Sequence, residues 1–572
     1  MAIGLPVQAA TFHVAQTSPA ASDTGPGDAG QPWKSLQHAA DKAQAGDRVV
    51  VHDGIYREAV VVKANGTDGS PIVFETAPGA NVVISGADEL HGWKQTGDRP
   101  IYQVPWPHRF IGWNKTMTHP DDEWHRVIGR CEQVAVDRYL LRQVLEPGQL
   151  APGSFFADVT NRLLLVWDAA SRNLNHALVE ASVRPEVLRV EGSQVHWRGF
   201  HFRYAANMAQ HGAVVLAGRQ DVLEDCVIEQ MNASGATFQA PDQTARRCVF
   251  RDNGQIGFGG NGAHRLLVTG CLIENNNTKG FDRGWEAGAL KLVLTRGAVL
   301  EGSRFLRNRG HGVWFDIGNE DCAVRRCLIA DNEDCGIFYE ISYGLRVQDC
   351  VIAGNGFAET AGGWGARAGI TLSSSPGCVI ERNLIVGNRE GFNFREQSRT
   401  TSRIGDPKER PIWNHDQTIR HNILALNRDA QVWGWFDTKD GRQWPAAGAG
   451  ASGAVGERPD GNADAYAAKD DRSQPRGLTL EQLKISFEDN LYFAGAGQGW
   501  FHWGVTWGRH EAYPDLDRFR TALGIDHGSR VHDPGFGGFA ARDFRVSPEE
   551  MRQLKPCYPQ GPIPGVLLGT VD

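Results

Sequence analysis

Two acidic residues near the middle of the chain have the spacing of a catalytic pair. Asp316 stands in GVWFDIG and Glu340 in GIFYEIS, 24 residues further on. If 24 residues form one turn of a stacked structure, the two carboxyl groups lie about 5 Å apart on neighbouring rungs. Like charges that close do not both ionise readily, so the pKa of one group should rise. Retaining glycoside hydrolysis uses carboxyl groups about 5 to 5.5 Å apart and inversion about 6.5 to 9.5 Å, so the spacing favours retention.

The surroundings of the two acids predict different roles for them. The apolar residues of GIFYE should help Glu340 hold a proton, which predicts Glu340 as the general acid and base. Asp316 is then the predicted nucleophile. The residues predicted to bind substrate around this pair are Asn261, Trp285, Glu286, Lys291, Trp314, Arg395 and Trp503.

The acids belong to a polar column that should recur once per turn. Counted four residues on from the glycine that opens each strand, the column contains Gln239, Asn261, Asp316, Glu340, Ser373 and Arg395. Alternate neighbours such as Phe315 and Tyr339 are expected to point into the core. Lys291 is one position out of phase and would join the column only through a β-bulge.

A second pattern recurs with the same period as this column. It consists of one small residue, two apolar residues, two variable residues and Asn. Its copies are CVIEQM, CVFRDN, CLIENN, SRFLRN, CLIADN, CVIAGN, NLIVGN and NILALN, beginning at positions 226, 248, 271, 303, 327, 350, 383 and 422. The base period is about 23 residues, with three longer intervals. Short β-branched runs at this period predict an all-β fold, a right-handed parallel β-helix. A leucine-rich repeat would instead show Leu at fixed offsets and a helical half.

Stacked turns place equivalent residues in ladders. Cys248, Cys271, Cys327 and Cys350 share one repeat position, which predicts buried free thiols rather than disulfides. A second ladder is predicted at the turn, formed by Asn253, Asn276, Asn308, Asn332, Asn355, Asn388 and Asn427. Stacked amides can bond to one another and to turn backbone groups, so this ladder is predicted to be structural.

Breaks in the repeat divide the chain. Between 91 and 190 the rhythm disappears and alternating strands suggest a β-sandwich inserted into the helix. The predicted parts are an N-terminal cap and first coils at 11–90, the sandwich at 91–190, coils with the catalytic face at 191–430, a Gly/Ala-rich loop at 431–476, and C-terminal coils and tail at 477–572.

The amino-acid composition limits the classes of binding partner and of cofactor that are expected. The 572 residues include 59 basic and 67 acidic ones, with no long run of either sign, so nucleic acid and membrane are not expected partners. The stretch LPVQAA at 5–10 resembles the end of a clipped secretory signal, which predicts a periplasmic or secreted protein. No zinc-like spacing, GxSxG elbow or phosphate loop occurs, so no cofactor is predicted, with Ca²⁺ left open. The oligomeric state is also left open.

The segments WEAGALKL, GVWFDIGNEDCAVRRCLIADN and GIFYEISYG resemble the stretch that carries the catalytic Asp and Glu of glycoside hydrolase family 120, the β-helix β-xylosidases. The resemblance spans residues 12–430, and only the segments of the two acids are specific. It implies a retaining, exo-acting glycosidase of oligosaccharides, with Asp316 as nucleophile and Glu340 as acid and base. Ile317 and the pair Ser342 and Tyr343 stand where that family has aromatic and His residues, so the sugar is left open.

Two other functions fit the same fold. In a polysaccharide lyase, Lys291 or Arg395 would abstract the proton next to a uronate carboxyl group, with carboxylates holding any Ca²⁺. In a non-catalytic carbohydrate-binding β-helix, Asp316 and Glu340 would face away from any groove. The acidic pair at the centre of the column favours the hydrolase.

Overall fold

The computed structural model describes residues 9–110, 129–358, 367–396, 399–436, 479–505, 510–536, 543–545, 549, 552, 554 and 555. The chain divides into two compact units. Unit 1 contains Met1–Gly259 and Asn275–Asp282, and unit 2 contains Gly260–Glu274 and Arg283–Asp572. Within each unit, a coil contributes one short strand to each of three parallel sheets, called sheets 1, 2 and 3 in their order along the coil. The predicted all-β parallel β-helix is confirmed.

Unit 1 contains the first coils. Its sheet 1 strands are Val60–Val62, Leu188–Val190, Gly212–Leu216 and Ser234–Phe238, followed by Ile256–Asn261, which ends in unit 2. Its sheet 2 strands are Thr11–Val14, Arg48–Val51, Ile72–Thr76, Val195–Arg198, Val222–Glu224 and Thr244–Arg246. Its sheet 3 strands are Gly54–Tyr56, Val82–Ser85, His201–Arg203, Val227–Glu229 and Val249–Arg251. The helix Leu36–Lys42 begins after Ser35, whose side chain accepts from the His38 N–H and caps the helix.

Two further sheets of unit 1 are formed by the range predicted for the inserted sandwich, 91–190, together with the strand Ala87–Glu89 just before it. One contains Tyr139–Leu140, Val134–Val136, Val179–Ser182 and Ala87–Glu89, all antiparallel. The other contains Arg142–Val144, Ser154–Asp158, Leu163–Trp167, Tyr102–Pro105 and Lys94–Gln95, with its first pair parallel. Short 3₁₀ helices lie at Pro147–Gln149 and Leu174–His176. Both sheets contribute to one buried apolar cluster, which includes Trp106, Val134 and Phe155.

Unit 2 contains most of the coils that were predicted, at 191–430, to carry the catalytic face. Its sheet 1 strands are Gly288–Val293, Val313–Asp316, Ile337–Glu340, Ala368–Ser373, Glu390–Arg395, Ala430–Phe436, Phe501–Val505 and the antiparallel His510–Tyr513. Its sheet 2 strands are Leu267–Thr269, Val299–Glu301, Glu320–Arg325, Tyr343–Gln348, Val379–Glu381, Gln417–Arg420 and Ile485–Glu488. Its sheet 3 strands are Leu272–Glu274, Arg304–Leu306, Leu328–Ala330, Val351–Ala353, Leu384–Val386, Ile423–Ala425, Leu491–Phe493 and Arg530–Val531. A hairpin of Arg399–Arg403 and Asp406–Ile412 and the helices Leu480–Leu483 and Leu516–Leu523 complete the unit.

The side-chain ladders form as predicted. In unit 2, Asn308 donates through its side chain to Asn332, Asn332 to Asn355 and Asn355 to Asn388, each at 2.9 Å. All of these amides are buried. The nine cysteines in the described part of the chain are buried free thiols.

One predicted boundary differs in the structure. The Gly/Ala-rich loop was expected from 431, but the strand Ala430–Phe436 continues to Phe436 because its apolar residues are all buried in sheet 1. The rest of that loop lies outside the described residues. The C-terminal tail packs Phe544 and Leu554 into an apolar cluster with Leu328 and Leu384 of sheet 3. No helix in the described ranges is long and apolar enough to cross a membrane.

Candidate active site

Strand register in unit 2 brings the two predicted catalytic acids together. Phe315 pairs with Tyr339, so the residues that follow them, Asp316 and Glu340, take matching positions on neighbouring rungs of sheet 1. Phe315 and Tyr339 are fully buried in the interior, which leaves the acids on the outer face of the sheet. The neighbouring pairs are Glu340 with Ser373 and Ser373 with Arg395. The column predicted for these four positions is therefore continuous.

A strained corner follows each acid. Ile317 and Ile341 have φ angles of 55° and 37°, in the left-handed region that β-branched residues rarely adopt. Polar side chains just beyond the corner fix it, because Asn319 Nδ2 donates to the Asp316 carbonyl at 2.8 Å and Ser342 Oγ to the Glu340 carbonyl at 2.7 Å. The backbone of both acids is thus held by buried hydrogen bonds. Sequence reasoning missed this support, although Asn319 and Ser342 are 23 residues apart, the same spacing as the ladders.

Asp316 faces a lysine. Lys291 Nζ lies 3.0 Å from Asp316 Oδ2, donates to the Trp285 carbonyl at 3.0 Å, and stands 3.9 Å from the ring centre of Trp314. Lys291 pairs with Trp314 in register, two positions before Asp316, so it reaches the carboxylate diagonally and no bulge is involved. The other carboxylate oxygen, Asp316 Oδ1, is buried and has no hydrogen-bond partner among the described residues.

Glu340 has a different environment. Burial and, next, the negative charge of Asp316 raise its pKa to about 7, against opposing effects of Arg399 and Lys291. Arg399 Nη1 donates to Glu340 Oε1 at 2.9 Å. Glu340 therefore holds its proton to a higher pH than a free glutamate does, and it lies beside an Asp316 that is paired with a lysine. Arg399 comes from the hairpin that follows the sheet 1 strand of Arg395, and no sequence signal indicated it.

Arg395 lies two rungs beyond Glu340. It is 2% exposed, and its Nη2 donates to Glu390 Oε1 and Oε2 at 3.1 and 2.9 Å. The ring centres of Trp435 and Trp433 lie 4.6 and 5.4 Å from the guanidinium carbon. The structure thus builds Arg395 into the face of the acid pair, and Glu390 is a partner that the sequence did not reveal.

The other predicted binding residues have mixed placements. Trp314 is buried, with its ring centre 4.7 Å from that of His311, and burial lowers the pKa of His311 to about 3, so this imidazole is neutral. Trp285 and Glu286 are half-buried beside the site, where the Trp285 carbonyl binds Lys291. Asn261 is exposed at the end of its strand, and no described contact joins its side chain to the acids.

Trp503 was predicted to bind substrate, and this is wrong. Its side chain is 1% exposed and points into the core, where its ring lies 5.1 Å from Phe436 and 6.2 Å from Phe394. Trp503 pairs with Gly434, and its ring occupies the space that a Cβ at Gly434 would need. The alternation of the strand, which sends His502 outwards, accounts for the inward direction of Trp503.

No group of three or more His, Cys, Asp or Glu residues in the described segments is arranged to hold a metal ion. The expectation about Ca²⁺ stays untested.

Comparison with known proteins bears on the fold. A family model described as right handed beta helix region matches residues 211–385, and one described as chondroitinase B matches residues 31–93. The solved structure of XylC with xylose aligns with a TM-score of 0.67 and 17% identity over 92% of this chain and 87% of that one. The chain is a right-handed parallel β-helix protein. The predicted resemblance to the family 120 type of β-helix is confirmed at the level of the fold, which is what 17% identity shows.

Two further similarities are weaker. The β-helix protein aligns with a mannuronic acid specific polysaccharide lyase of family 6 from human gut microbiota at a TM-score of 0.45 and 10% identity, over 96% of this chain and 98% of that one. The uncharacterized protein YwoF of Bacillus subtilis (strain 168) is 46% identical over 69 residues, which are 12% of this chain and 15% of YwoF. The chain therefore matches only a small part of that curated relative.

Proposed function

We propose that the β-helix protein is a retaining, exo-acting glycoside hydrolase of oligosaccharides, similar to β-xylosidases, with Asp316 as nucleophile and Glu340 as general acid and base. One observation carries the proposal: two acids on adjacent rungs have opposite environments, one paired with Lys291 and the other with a pKa raised to about 7. Double displacement requires two carboxyl groups of unequal pKa, one that gives up a proton and one that attacks as a carboxylate.

The first step joins the sugar to the protein. Glu340 gives its proton to the glycosidic oxygen as the bond from that oxygen to the anomeric carbon breaks, and the Asp316 carboxylate forms a bond to the same carbon. Lys291 Nζ, 3.0 Å from Oδ2, holds the Asp316 carboxylate in place for this attack.

The second step releases the sugar. Glu340, now a carboxylate, takes a proton from water while the water oxygen attacks the anomeric carbon and the bond to Asp316 breaks. Arg399 stabilises the Glu340 carboxylate in this half of the cycle and keeps the side chain in place. Both acids return to their starting states.

The related fold supports a first choice of substrates. XylC was solved with xylose, so aryl xylosides belong in the test panel together with hexosides and uronides of both anomers. We further propose that the protein acts in the periplasm or outside the cell, as the segment at 5–10 suggests.

Azide rescue tests the nucleophile. Wild type should hydrolyse at least one aryl glycoside, and Asp316→Ala should lose that activity. Added azide should restore it and yield a glycosyl azide of inverted configuration, because azide occupies the space left by the carboxylate. Asp349→Ala is a matched control, since Asp349 forms a comparable ion pair with Arg382 away from sheet 1. Full activity of Asp316→Ala would overturn the proposal.

The lyase alternative finds little support in the same contacts. Lys291 Nζ is already occupied by Asp316 Oδ2 and the Trp285 carbonyl, and a guanidinium such as that of Arg395 does not lose its proton in proteins. Neither group is a ready base. Unsaturated products that absorb in the ultraviolet would nevertheless identify a lyase and overturn the hydrolase proposal.

A further inference from the structure

Arg395 retains unused hydrogen-bond donors next to the acid pair. Its Nη2 is bound by Glu390, but Nε and Nη1 are buried and have no partner among the described residues. Burying donors of a charged group without partners is costly. Buried polar atoms without partners are therefore candidates for contacts with a ligand. The acceptor Asp316 Oδ1 on the same face is another such atom, since it is buried and has no partner among the described residues.

The guanidinium of Arg395 is held rigidly. Glu390, itself 1% exposed, accepts from Arg395 Nη2 and also from Asn393 Nδ2. Trp433 and Trp435 lie against the guanidinium plane at distances typical of cation–π contacts. The side chain is therefore fixed by three neighbours, Glu390, Trp433 and Trp435, and its remaining donors are preorganised.

A second unpartnered group lies between Arg395 and the acid and base. Ser373 pairs in register with both Glu340 and Arg395, is fully buried, and its Oγ has no partner among the described residues. Two rungs separate Glu340 from Arg395, a distance of about 10 Å. One or two sugar units span such a distance, so these donors can contact a sugar next to the bond that Glu340 protonates.

The buried charge of Arg395 favours an acidic ligand. Each cation of the site has a carboxylate partner: Lys291 pairs with Asp316, Arg395 with Glu390 and Arg399 with Glu340. Arg395 is the most buried of the three, so its charge is the least screened by solvent. A guanidinium with free donors in such a setting binds a carboxylate in preference to a neutral hydroxyl group.

We propose that Arg395 and Ser373 form a subsite for the carboxylate of a uronic acid, so that the substrates are acidic oligosaccharides with a uronic acid beside the cleaved bond. The identification as a substrate subsite rests on the proposed function, whereas binding of the acid sugar does not. In the complex, Arg395 Nε or Nη1 and the Ser373 hydroxyl donate to the carboxylate oxygens.

Calorimetry with small probes tests the subsite without turnover. Wild type is titrated with D-glucuronate and D-galacturonate and with the corresponding uronamides, which have the same shape and no charge. At least one acid should bind ten times more tightly than its amide. Equal affinities within twofold for both pairs would overturn the subsite, and this comparison needs no variant.

Variants connect the preference to Arg395. Arg395→Met should reduce the ratio of acid to amide affinity to about one, and Arg395→Lys should leave an intermediate ratio. Arg420→Met is the matched control, because Arg420 pairs with Glu381 on sheet 2 and its loss should leave the ratio unchanged. Circular dichroism checks folding, and if Arg395→Met does not fold, Arg395→Lys decides. A ratio that neither Arg395 variant changes would overturn the assignment.

The outcomes separate the two proposals. Hydrolysis of glycosides with no preference for acids over amides overturns the subsite and leaves the hydrolase. A preference for acids that depends on Arg395, without cleavage of any glycoside in the panel, supports the subsite and overturns the hydrolase.

Discussion

Lys291 Nζ lies 3.0 Å from Asp316 Oδ2, although the two residues are not paired across the sheet. The lysine side chain runs along the outer face from its own pairing position beside Trp314 to the carboxylate beyond it. Both partners are about nine-tenths buried as side chains, so this ion pair is only weakly screened by solvent. The ion pair makes the environment of Asp316 different from that of Glu340, and in the proposed mechanism this difference gives the two acids unequal roles.

Replacing Lys291 tests this separation. Lys291→Met should lower kcat/KM by about 30-fold or more, because removing one partner of a buried charge pair costs about 2 kcal/mol or more. Lys291→Arg should retain more activity, since it keeps a cation over Trp314. Lys408→Met, on an exposed strand of the hairpin, is the control and should behave as wild type. Activity of Lys291→Met within twofold of wild type would contradict the role of the ion pair.

The proton held by Glu340 should matter most for poor leaving groups. Glu340→Gln should lower kcat/KM by about 10²- to 10⁴-fold with methyl or sugar aglycones. With a dinitrophenyl aglycone, which departs without protonation, the first step should be nearly unaffected. Glu301→Gln, which alters an ion pair on sheet 2, serves as control. A loss of the same size for both aglycones would show that Glu340 is not the general acid.

The pH dependence should follow the proton of Glu340. Because burial and the charge of Asp316 raise its pKa to about 7, the acid form is lost as the pH rises through 7, and kcat/KM should fall on that side. Arg399 favours the carboxylate and lowers the pKa, so Arg399→Met should raise the pKa and move the alkaline limb to higher pH. The profile of initial rates between pH 5 and 9 measures the shift.

A neighbouring arginine provides the control for this shift. Arg410 lies on the other strand of the same hairpin and pairs with Asp406 instead of an acid of the site. Arg410→Met should therefore leave the limb in place. A downward move of the limb in Arg399→Met would mean that a group other than Glu340 controls it.

The repeat allowed the polar column on the outer face of sheet 1 to be predicted from the sequence, for a geometric reason. Residues that recur at the coil period must stack, so the positions of Asp316, Glu340, Ser373 and Arg395 followed from counting alone. The prediction for Trp503 is wrong because an aromatic cluster alone does not show which side chains point outwards. The alternation of side chains along the strand decides this, and it directs Trp503 into the core.

The partners of the column residues could not be predicted in the same way. Arg399 reaches Glu340 from a hairpin inserted between coils, and Glu390 reaches Arg395 from the start of the same strand. Such contacts depend on side-chain direction and loop geometry, which a periodic pattern does not encode. The diagonal reach of Lys291 is a further case, since register alone assigns it to Trp314.

The asparagine ladder predicts a stability effect that is independent of catalysis. Asn332 Oδ1 accepts from the backbone N–H and the side-chain amide of Asn308, and its Nδ2 donates to the Phe305 carbonyl at 3.0 Å and to Asn355 Oδ1 at 2.9 Å. Asn332→Ala would leave several buried groups without partners, each at a cost of about 1–3 kcal/mol. We expect the free energy of unfolding to fall by about 3 kcal/mol or more, measured by urea titration with circular dichroism.

An exposed asparagine separates this effect from a general cost of truncation. Asn161 bonds to Asp158 at an exposed turn of the inserted sheets, so Asn161→Ala should change the free energy of unfolding by no more than about 0.5 kcal/mol. Because neighbouring rungs share the ladder, the cost at Asn332 should not add to that of Asn355→Ala, and the double variant should lose less than the sum. Strict additivity, or a loss at Asn332 no larger than at Asn161, would show that the stacked amides do not act as one network.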